Sequence, residues 1–401
     1  MNSMAKLNKI RIASLFSGCG GLDLGFLGGF TFEGKKYKKH NTIIVFANDI
    51  DADAVICYNS NHLLSKKGND CRLADIRDVN ANEIPNFDVL LAGFPCQPFS
   101  NAGNRKGIQD DNGRGTLFEE CERILKDKVE SGNKPKAFVF ENVRGIISSK
   151  MPSGISVPDE IKHRMEKLGY NVSMQLVVSS DYGVPQNRYR FLIIGVDKNI
   201  GSFDFNKMAE VVEKESIPSV NFGKSEKLLL GYILKDVKEL PDNEYWKYSE
   251  STQKMIEDIG PCEHSKEAID FFKTKYSCDK IPDTLKKGRS WKDVPYEKLS
   301  PRFRKIYDNP SKYHAPKFYR RFALGEINGT ITASAQPENC GITHPFENRR
   351  FSVREVARIQ SFPDDYIFND IPLQARYKVI GNAVPPVMAW VIAKALLDYI
   401  V

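Results

Sequence analysis

Residues 10–26 read Ile10-Arg11-Ile12-Ala13-Ser14-Leu15-Phe16-Ser17-Gly18-Cys19-Gly20-Gly21-Leu22-Asp23-Leu24-Gly25-Phe26, an apolar run, a glycine-rich turn and a second apolar run. The β-branched Ile10 and Ile12 favour a strand, and glycines at its end let a backbone approach a ligand where a Cβ would collide. The spacing departs from the dinucleotide fingerprint G-x-G-x-x-G because position 23 is Asp. It therefore points either to another adenosine-bearing ligand or to a tight structural turn.

Working outward, further apolar runs predict strands at Thr42–Asn48, Phe87–Ala92, Ala137–Glu141, Asn171–Val178 and Arg190–Val196. Amphipathic stretches separate them. Thr116 with Glu119 forms a capping-box signature before Leu117, Cys121, Ile124 and Leu125, and Ile161, Met165 and Leu168 share one face before Gly169. This alternation predicts an α/β fold with a mostly parallel sheet and helices on both faces. From about Gly201 to Asn348 it dissolves into short, polar, lysine-rich pieces, which suggests a second, smaller and irregular domain. Regular signals return at Ser352, with Glu355 completing a capping box, and Pro385-Pro386 opens an apolar helix reaching Ile400. That helix needs a hydrophobic partner, expected to be the N-terminal sheet. The expected domains are 1–198 with 372–401, and 199–371.

The composition is that of an ordinary globular chain of two or three domains, with 401 residues, 41% hydrophobic and 27% charged. The net charge of +7 is modest, but it is unevenly placed. Phe271–Thr330 holds 15 Lys and Arg against 6 Asp and Glu, a local +9, whereas Val196–Asp270 holds 10 against 16. A basic segment of this kind suits a polyanionic partner. The eight cysteines show neither C-x-x-C nor zinc-type spacing, so neither a disulfide framework nor a metal site is expected. With no leader-like N-terminus and no apolar run of about 18 residues, the chain reads as a soluble cytoplasmic protein.

Two segments beyond the glycine turn can carry chemistry. Asn48-Asp49-Ile50-Asp51 follows the second predicted main strand; Asp49 can accept from both hydroxyls of a ribose, while Asp51 reads as the cap of the next helix. Gly93-Phe94-Pro95-Cys96-Gln97-Pro98 follows another strand, which puts Cys96 in a non-helical loop at the carboxyl edge of the sheet, where open α/β folds keep their clefts. A thiol presented there is a candidate nucleophile, against the bland reading of a small buried filler.

Pro95-Cys96-Gln97, Gly113-Arg114-Gly115-Thr116-Leu117-Phe118, Glu141-Asn142-Val143, Gln186-Asn187-Arg188-Tyr189-Arg190 and Gly381-Asn382-Ala383-Val384-Pro385-Pro386 occur in that order. Together they resemble the motif series of the DNA cytosine-5 methyltransferases of bacterial restriction-modification systems. Arg350–Arg358 resembles that family's penultimate motif, and about 130 residues before it fall where the family places its variable target-recognition region. One departure is Ser14, where many members carry Asp; it leaves a local hydrogen bond in question.

The resemblance implies a class I S-adenosylmethionine-dependent methyltransferase fold with S-adenosyl-L-methionine as cofactor. It implies that Cys96 attacks C6 of a flipped cytosine, that Glu141 contacts N3 and the exocyclic amine and must carry a proton to donate to N3, that Arg190 polarises O2, and that Arg188 supports the thiol and backbone geometry. For the cofactor it implies Phe16, Gly18, Gly20, Asp49, Ile50, Asp75, Ile76, Leu117 and Asn382, although Leu117 is equally a core position. A loop from Phe99 to Asn112 would close over DNA. Arg188 and Arg190 are expected on one strand, facing one pocket. Charge and elimination assign DNA reading to Arg302, Arg304, Lys317, Arg320 and Arg321, or else their neighbouring aromatics form a small core that these cations merely solvate. Double-stranded DNA is the implied partner, with a monomeric enzyme and a companion restriction endonuclease. A transfer-RNA cytosine-5 methyltransferase, which would show a Cys-Phe-Thr tripeptide not found here, and a catalytically silent DNA-binding regulator remain the alternatives.

Overall fold

The strands are β1 (Ile10–Leu15), the hairpin β2 (Phe30–Phe32) and β3 (Lys35–Tyr37), β4 (Thr42–Asp49), β5 (Arg72–Leu73), β6 (Val89–Ala92), β7 (Ala137–Val143), β8 (Tyr170–Val178), β9 (Gln186–Asn187) and β10 (Tyr189–Asp197). The longer β1, β4, β6, β7, β8 and β10 fall where the apolar runs predict them, whereas the short β2, β3, β5 and β9 have no counterpart in that prediction. This computed structural model describes residues 9–62, 64, 70–94, 117–237, 240–262, 283–311, 319–338 and 340–400. Seven strands form one sheet in the order β5-β4-β1-β6-β7-β10-β8, parallel except where β10 runs against both β7 and β8. Every residue of β6 is buried, as expected of a central strand covered on both faces.

The helices of this unit are α1 (Gly21–Leu27), α2 (Ala52–Asn59), α3 (Leu117–Glu130), α4 (Val157–Lys167) and α5 (Asn206–Lys214). Leu117, Cys121, Ile124 and Leu125 of α3 and Ile161 and Met165 of α4 pack with Ala13, Leu15, Leu90, Phe138 and Phe140 from one sheet face. At about 1.5–3 kcal/mol for each fully buried large side chain, this core holds the strand ends still. The expected cap at Thr116 lies outside the described residues.

The chain divides into a unit of 1–178, 189–215 and 383–401 and a unit of 179–188 with 216–382. Residues 199–215 thus join the sheet-bearing unit, while 179–188 and 372–382 join the other. The second unit contains α6 (Leu230–Ile233), α7 (Glu250–Ile259), α8 (Pro301–Asp308), α9 (Val353–Ile359), α10 (Leu373–Asn382) and the two-residue strand β11 (Asn328–Gly329), which pairs with β9. The Ser352–Glu355 capping box forms as expected: Glu355 N–H donates to Ser352 Oγ at 3.2 Å and Ser352 N–H donates to Glu355 Oε2 at 2.7 Å.

The terminal helix, α11 (Pro386–Ile400), returns to the first unit. It packs on α1 and α5, and a Cβ at Gly25 of α1 would overlap Ala389. Trp390 Nε1 donates to Lys38 O at 2.8 Å, which ties α11 to the hairpin. The reason is that α1 is itself buried from Gly21 to Phe26, so it takes a second cover on its outer side. The stretch Leu373–Ile400 does reach the length and hydropathy of a membrane-crossing helix, contrary to the sequence expectation, but 83% of its most apolar window is buried within the protein.

Candidate active site

The parallel strands β1, β4, β6 and β7 all end on one edge of the sheet, and the glycine turn, Asp49, Glu141 and the approach to Cys96 gather there. Phe16 leaves β1 with φ +54°, a conformation that is uncommon for a bulky residue and is held by the surrounding packing. Gly18 follows with φ +56°, and its N–H donates to Asp49 Oδ2 at 2.8 Å. Asp51 N–H donates to Asp49 Oδ1 at 2.8 Å, and the Asp51 carboxylate caps α2 as expected. Burial pushes the Asp49 carboxyl up from its ordinary range while these two N–H donors oppose it. Each carboxylate oxygen still has a lone pair for a hydroxyl donor.

An adenosine fits this cradle. A Cβ at Gly18 would meet nothing within 4 Å, so the space before it is open. Ile50, directly after Asp49, is an apolar side chain left 62% exposed. Asp75 caps a short 3₁₀ turn beginning at Ile76 and pairs with Arg77, whose guanidinium holds the carboxyl below its usual range. Ile76 is buried beside it. Gly20 has a requirement within the protein as well: with φ +82°, a Cβ there would overlap the Leu64 and Tyr58 side chains. Leu117 belongs to the core described above.

Glu141 and Arg190 meet at the same edge. Arg190 stands at the start of β10 opposite Val143, and its Nε lies 2.5 Å from Glu141 Oε1 with both side chains largely buried. Strand β6, bonded to β7, leads to Phe94, two residues before Cys96. The Asn142 side-chain amide donates to Phe94 O at 3.4 Å, tying that exit to the strand bearing Glu141. Cys96, the Gly113–Thr116 motif, the loop Phe99–Asn112 and Lys317 lie outside the described residues.

Arg188 does not share a strand with Arg190. It belongs to the second unit, is 2% exposed, and donates to Ile331 O at 2.8 Å and Gly381 O at 2.9 Å. The alternation argument fails because regular pairing of β10 begins only at Tyr189. Gln186 joins Arg188 in that role: Ile331 N–H donates to its Oε1 at 2.9 Å, and its amide reaches Ile359 O. Asn382 ends α10 and is exposed.

The basic segment is also corrected by its placement. Arg321 is 0% exposed and donates to His344 O, Glu347 O, Ile256 O and Asn348 Oδ1, so it holds the second unit together and offers no donor to a duplex. Arg320 pairs with Glu326, and Arg304 donates to Tyr296 O and Glu297 O. Arg302 is exposed on α8. The aromatics divide: Phe303 and Tyr319 are core, while Tyr296 and Tyr307 stand 44% and 51% exposed. Sequence reasoning overlooked Asp23, which is 0% exposed and accepts from Ser14 Oγ at 2.6 Å. Ser14 thereby makes the local bond that its departure from the family pattern had left in question.

The profile of the C-5 cytosine-specific DNA methylase family matches residues 10–398. The chain is 31% identical over 393 residues to a Type II methyltransferase, M.FnuDI, of Fusobacterium nucleatum, covering 97% of this chain and 94% of the relative. It is 32% identical over 402 residues to the Type II methyltransferase M.NgoFVII of Neisseria gonorrhoeae, covering 99% and 88%. Among solved structures, the DNMT2 of Spodoptera frugiperda superposes with a TM-score of 0.55 at 17% identity, covering 97% of this chain and all of that one. That likeness supports the fold, a class I methyltransferase sheet.

Proposed function

The chain belongs to the C-5 cytosine-specific DNA methylase family and is a DNA cytosine-5 methyltransferase, and from that premise we propose that it methylates carbon 5 of a cytosine flipped out of a specific site in duplex DNA, using S-adenosylmethionine. Its named relatives are Type II methyltransferases, which supports the modification half of a restriction-modification system, working in the cytoplasm as a monomer beside a companion endonuclease.

Carbon 5 of cytosine is a poor nucleophile, and neither face of C6 is reachable inside a base stack, so the base must leave the helix. The Cys96 thiolate forms a bond to C6 and sends an electron pair toward N3 and O2, which makes C5 enamine-like. Arg190 faces the charge that develops on O2, and Glu141 contacts N3 and the exocyclic amine. Bound S-adenosylmethionine supplies an electrophilic methyl group. Phe16, Gly18, Asp49 and Ile50 hold the adenosine end, with Asp49 accepting from the ribose hydroxyls. Once C5 carries that methyl and the donor is left as its neutral thioether, loss of the C5 proton to solvent returns the pair to the ring as the sulfur–C6 bond breaks, which regenerates the thiolate. Arg188 keeps its backbone-supporting role, and Arg302 is retained as a phosphate contact.

The observation that carries this reading is the Glu141–Arg190 pair at the carboxyl edge, on the strand bonded to the one that leads into Cys96. Its test is methyl transfer from tritiated S-adenosylmethionine to duplex DNA and to transfer RNA, followed by bisulfite sequencing. Label confined to duplex cytosines in one sequence context is expected; label only in RNA, or none, would contradict it.

A further inference from the structure

Beneath the Phe16–Gly18 turn, a buried chain of hydrogen bonds ends on a carboxylate. Asn48 N–H donates to Ser17 Oγ at 3.2 Å, Ser17 Oγ donates to Ser14 Oγ at 3.0 Å, and Ser14 Oγ donates to Asp23 Oδ1 at 2.6 Å. From the other side, Tyr58 of α2 donates its hydroxyl to Asp23 Oδ2 at 2.8 Å. Each hydroxyl has one proton: those of Ser14 and Tyr58 are spent on Asp23, and that of Ser17 is shared between Ser14 Oγ and Ser14 O, the latter at 3.1 Å. Only an acceptor-only group can close the chain from both sides, and an ionised carboxylate is one. No cation pairs with Asp23 among the described residues. Burial raises its carboxyl to about 6, opposed by the Ser14 and Tyr58 bonds, so the charge is kept at a cost that these two bonds offset only in part.

The elements joined are the end of β1, the first turn of α1, α2 and the end of β4. Asn48 immediately precedes Asp49, and Ser17 immediately precedes Gly18, whose N–H binds the Asp49 carboxylate. Both walls of the proposed adenosine cradle therefore hang on one buried group. We infer that Asp23 is a positioning residue for the methyl donor: its carboxylate fixes Ser14 and Ser17, and through Asn48 the end of β4, so that Phe16, Gly18 and Asp49 meet the nucleoside already in place. This rests on reading that cradle as the S-adenosylmethionine site. Preformed geometry shows in binding more than in the chemical step.

The experiment uses the full chain, with calorimetric titration of S-adenosylhomocysteine and steady-state methylation of duplex DNA. Wild-type binding of S-adenosylhomocysteine tests the cofactor reading by itself; if it is absent, that reading fails and this inference with it. Given binding, Asp23→Asn is expected to raise the KM for S-adenosylmethionine about tenfold, with kcat within about twofold and the KM for DNA unchanged. Tyr58→Phe, which removes one donor and little volume, should shift the same KM in the same direction by less. The exchange Ser14→Asp with Asp23→Ser moves the carboxylate to the other end of the 2.6 Å bond and should restore the KM to within about threefold of wild type. Wild-type KM in a folded Asp23→Asn, or in Tyr58→Phe should the first variant not fold, would overturn the inference. So would an exchange variant no better than Asp23→Asn.

Discussion

In the first unit, Asp49 and Glu141 sit at strand ends with the rim of the sheet before them, whereas in the second unit Arg321, Arg350 and Arg354 are buried in the fold. Arg350 is held between the rings of Trp246 and Tyr248, each 4.3 Å away, and donates to Trp246 O, Lys247 O and Ala335 O. Arg354 donates to Pro241 O, Pro363 O and Tyr366 O and pairs with Asp242. A unit made of short helices and irregular backbone leaves many carbonyls without regular partners, and these guanidiniums, with five donors each, supply them. A basic segment can thus be largely structural, while two acids at strand ends are the ones to which the proposed chemistry is assigned.

The contrast predicts effects of different kinds. Arg321→Met should destabilise the protein by about 3–5 kcal/mol in urea unfolding, since several buried acceptors lose their donor at about 1–3 kcal/mol each. A drop in DNA affinity without loss of stability would instead restore Arg321 as a DNA contact. Glu141→Gln should lower turnover by about 10²- to 10³-fold, with S-adenosylhomocysteine binding unchanged, because it acts on charge developing at the base. Equal loss of cofactor binding would show that Glu141 only holds the sheet edge.

Asp23 gives a pH signature at the lower end of the same range. Its folded value of about 6 lies above the ordinary acid range, so the folded state holds the proton more tightly. The resulting stability is complete below about pH 4, is lost as pH rises through about 6, and amounts to about 3 kcal/mol across that window. Asp23→Asn should therefore gain on the wild type by up to this amount between pH 4 and pH 6; parallel curves would contradict a buried, ionised Asp23. Smallest of all, Arg302→Ala should reduce the salt dependence of DNA binding by about one unit of slope and leave stability within about 0.5 kcal/mol.

Much of the first unit was legible because apolar runs end where the chemistry begins: the ends of β1, β4 and β7 placed the glycine turn, Asp49 and Glu141 without any tertiary information. Arg188 was misplaced because a two-residue alternation was extended across the point where the chain passes from one unit to the other. Arg321 was misread because a charge count is blind to burial. Asp23 was hidden because its importance lies in Ser14 and Tyr58, and the 35 residues separating it from Tyr58 carry no period that would pair them.

The central claim is a transient bond between Cys96 sulfur and C6 of an extruded cytosine. Its most direct measurement is incubation with S-adenosylmethionine and duplex DNA carrying 5-fluorocytosine at the modified position, where fluorine cannot leave as a proton does. The account predicts a denaturant-resistant protein–DNA complex whose peptide map places the base on Cys96. A complex linked through another residue, or full methylation by Cys96→Ser, would contradict it.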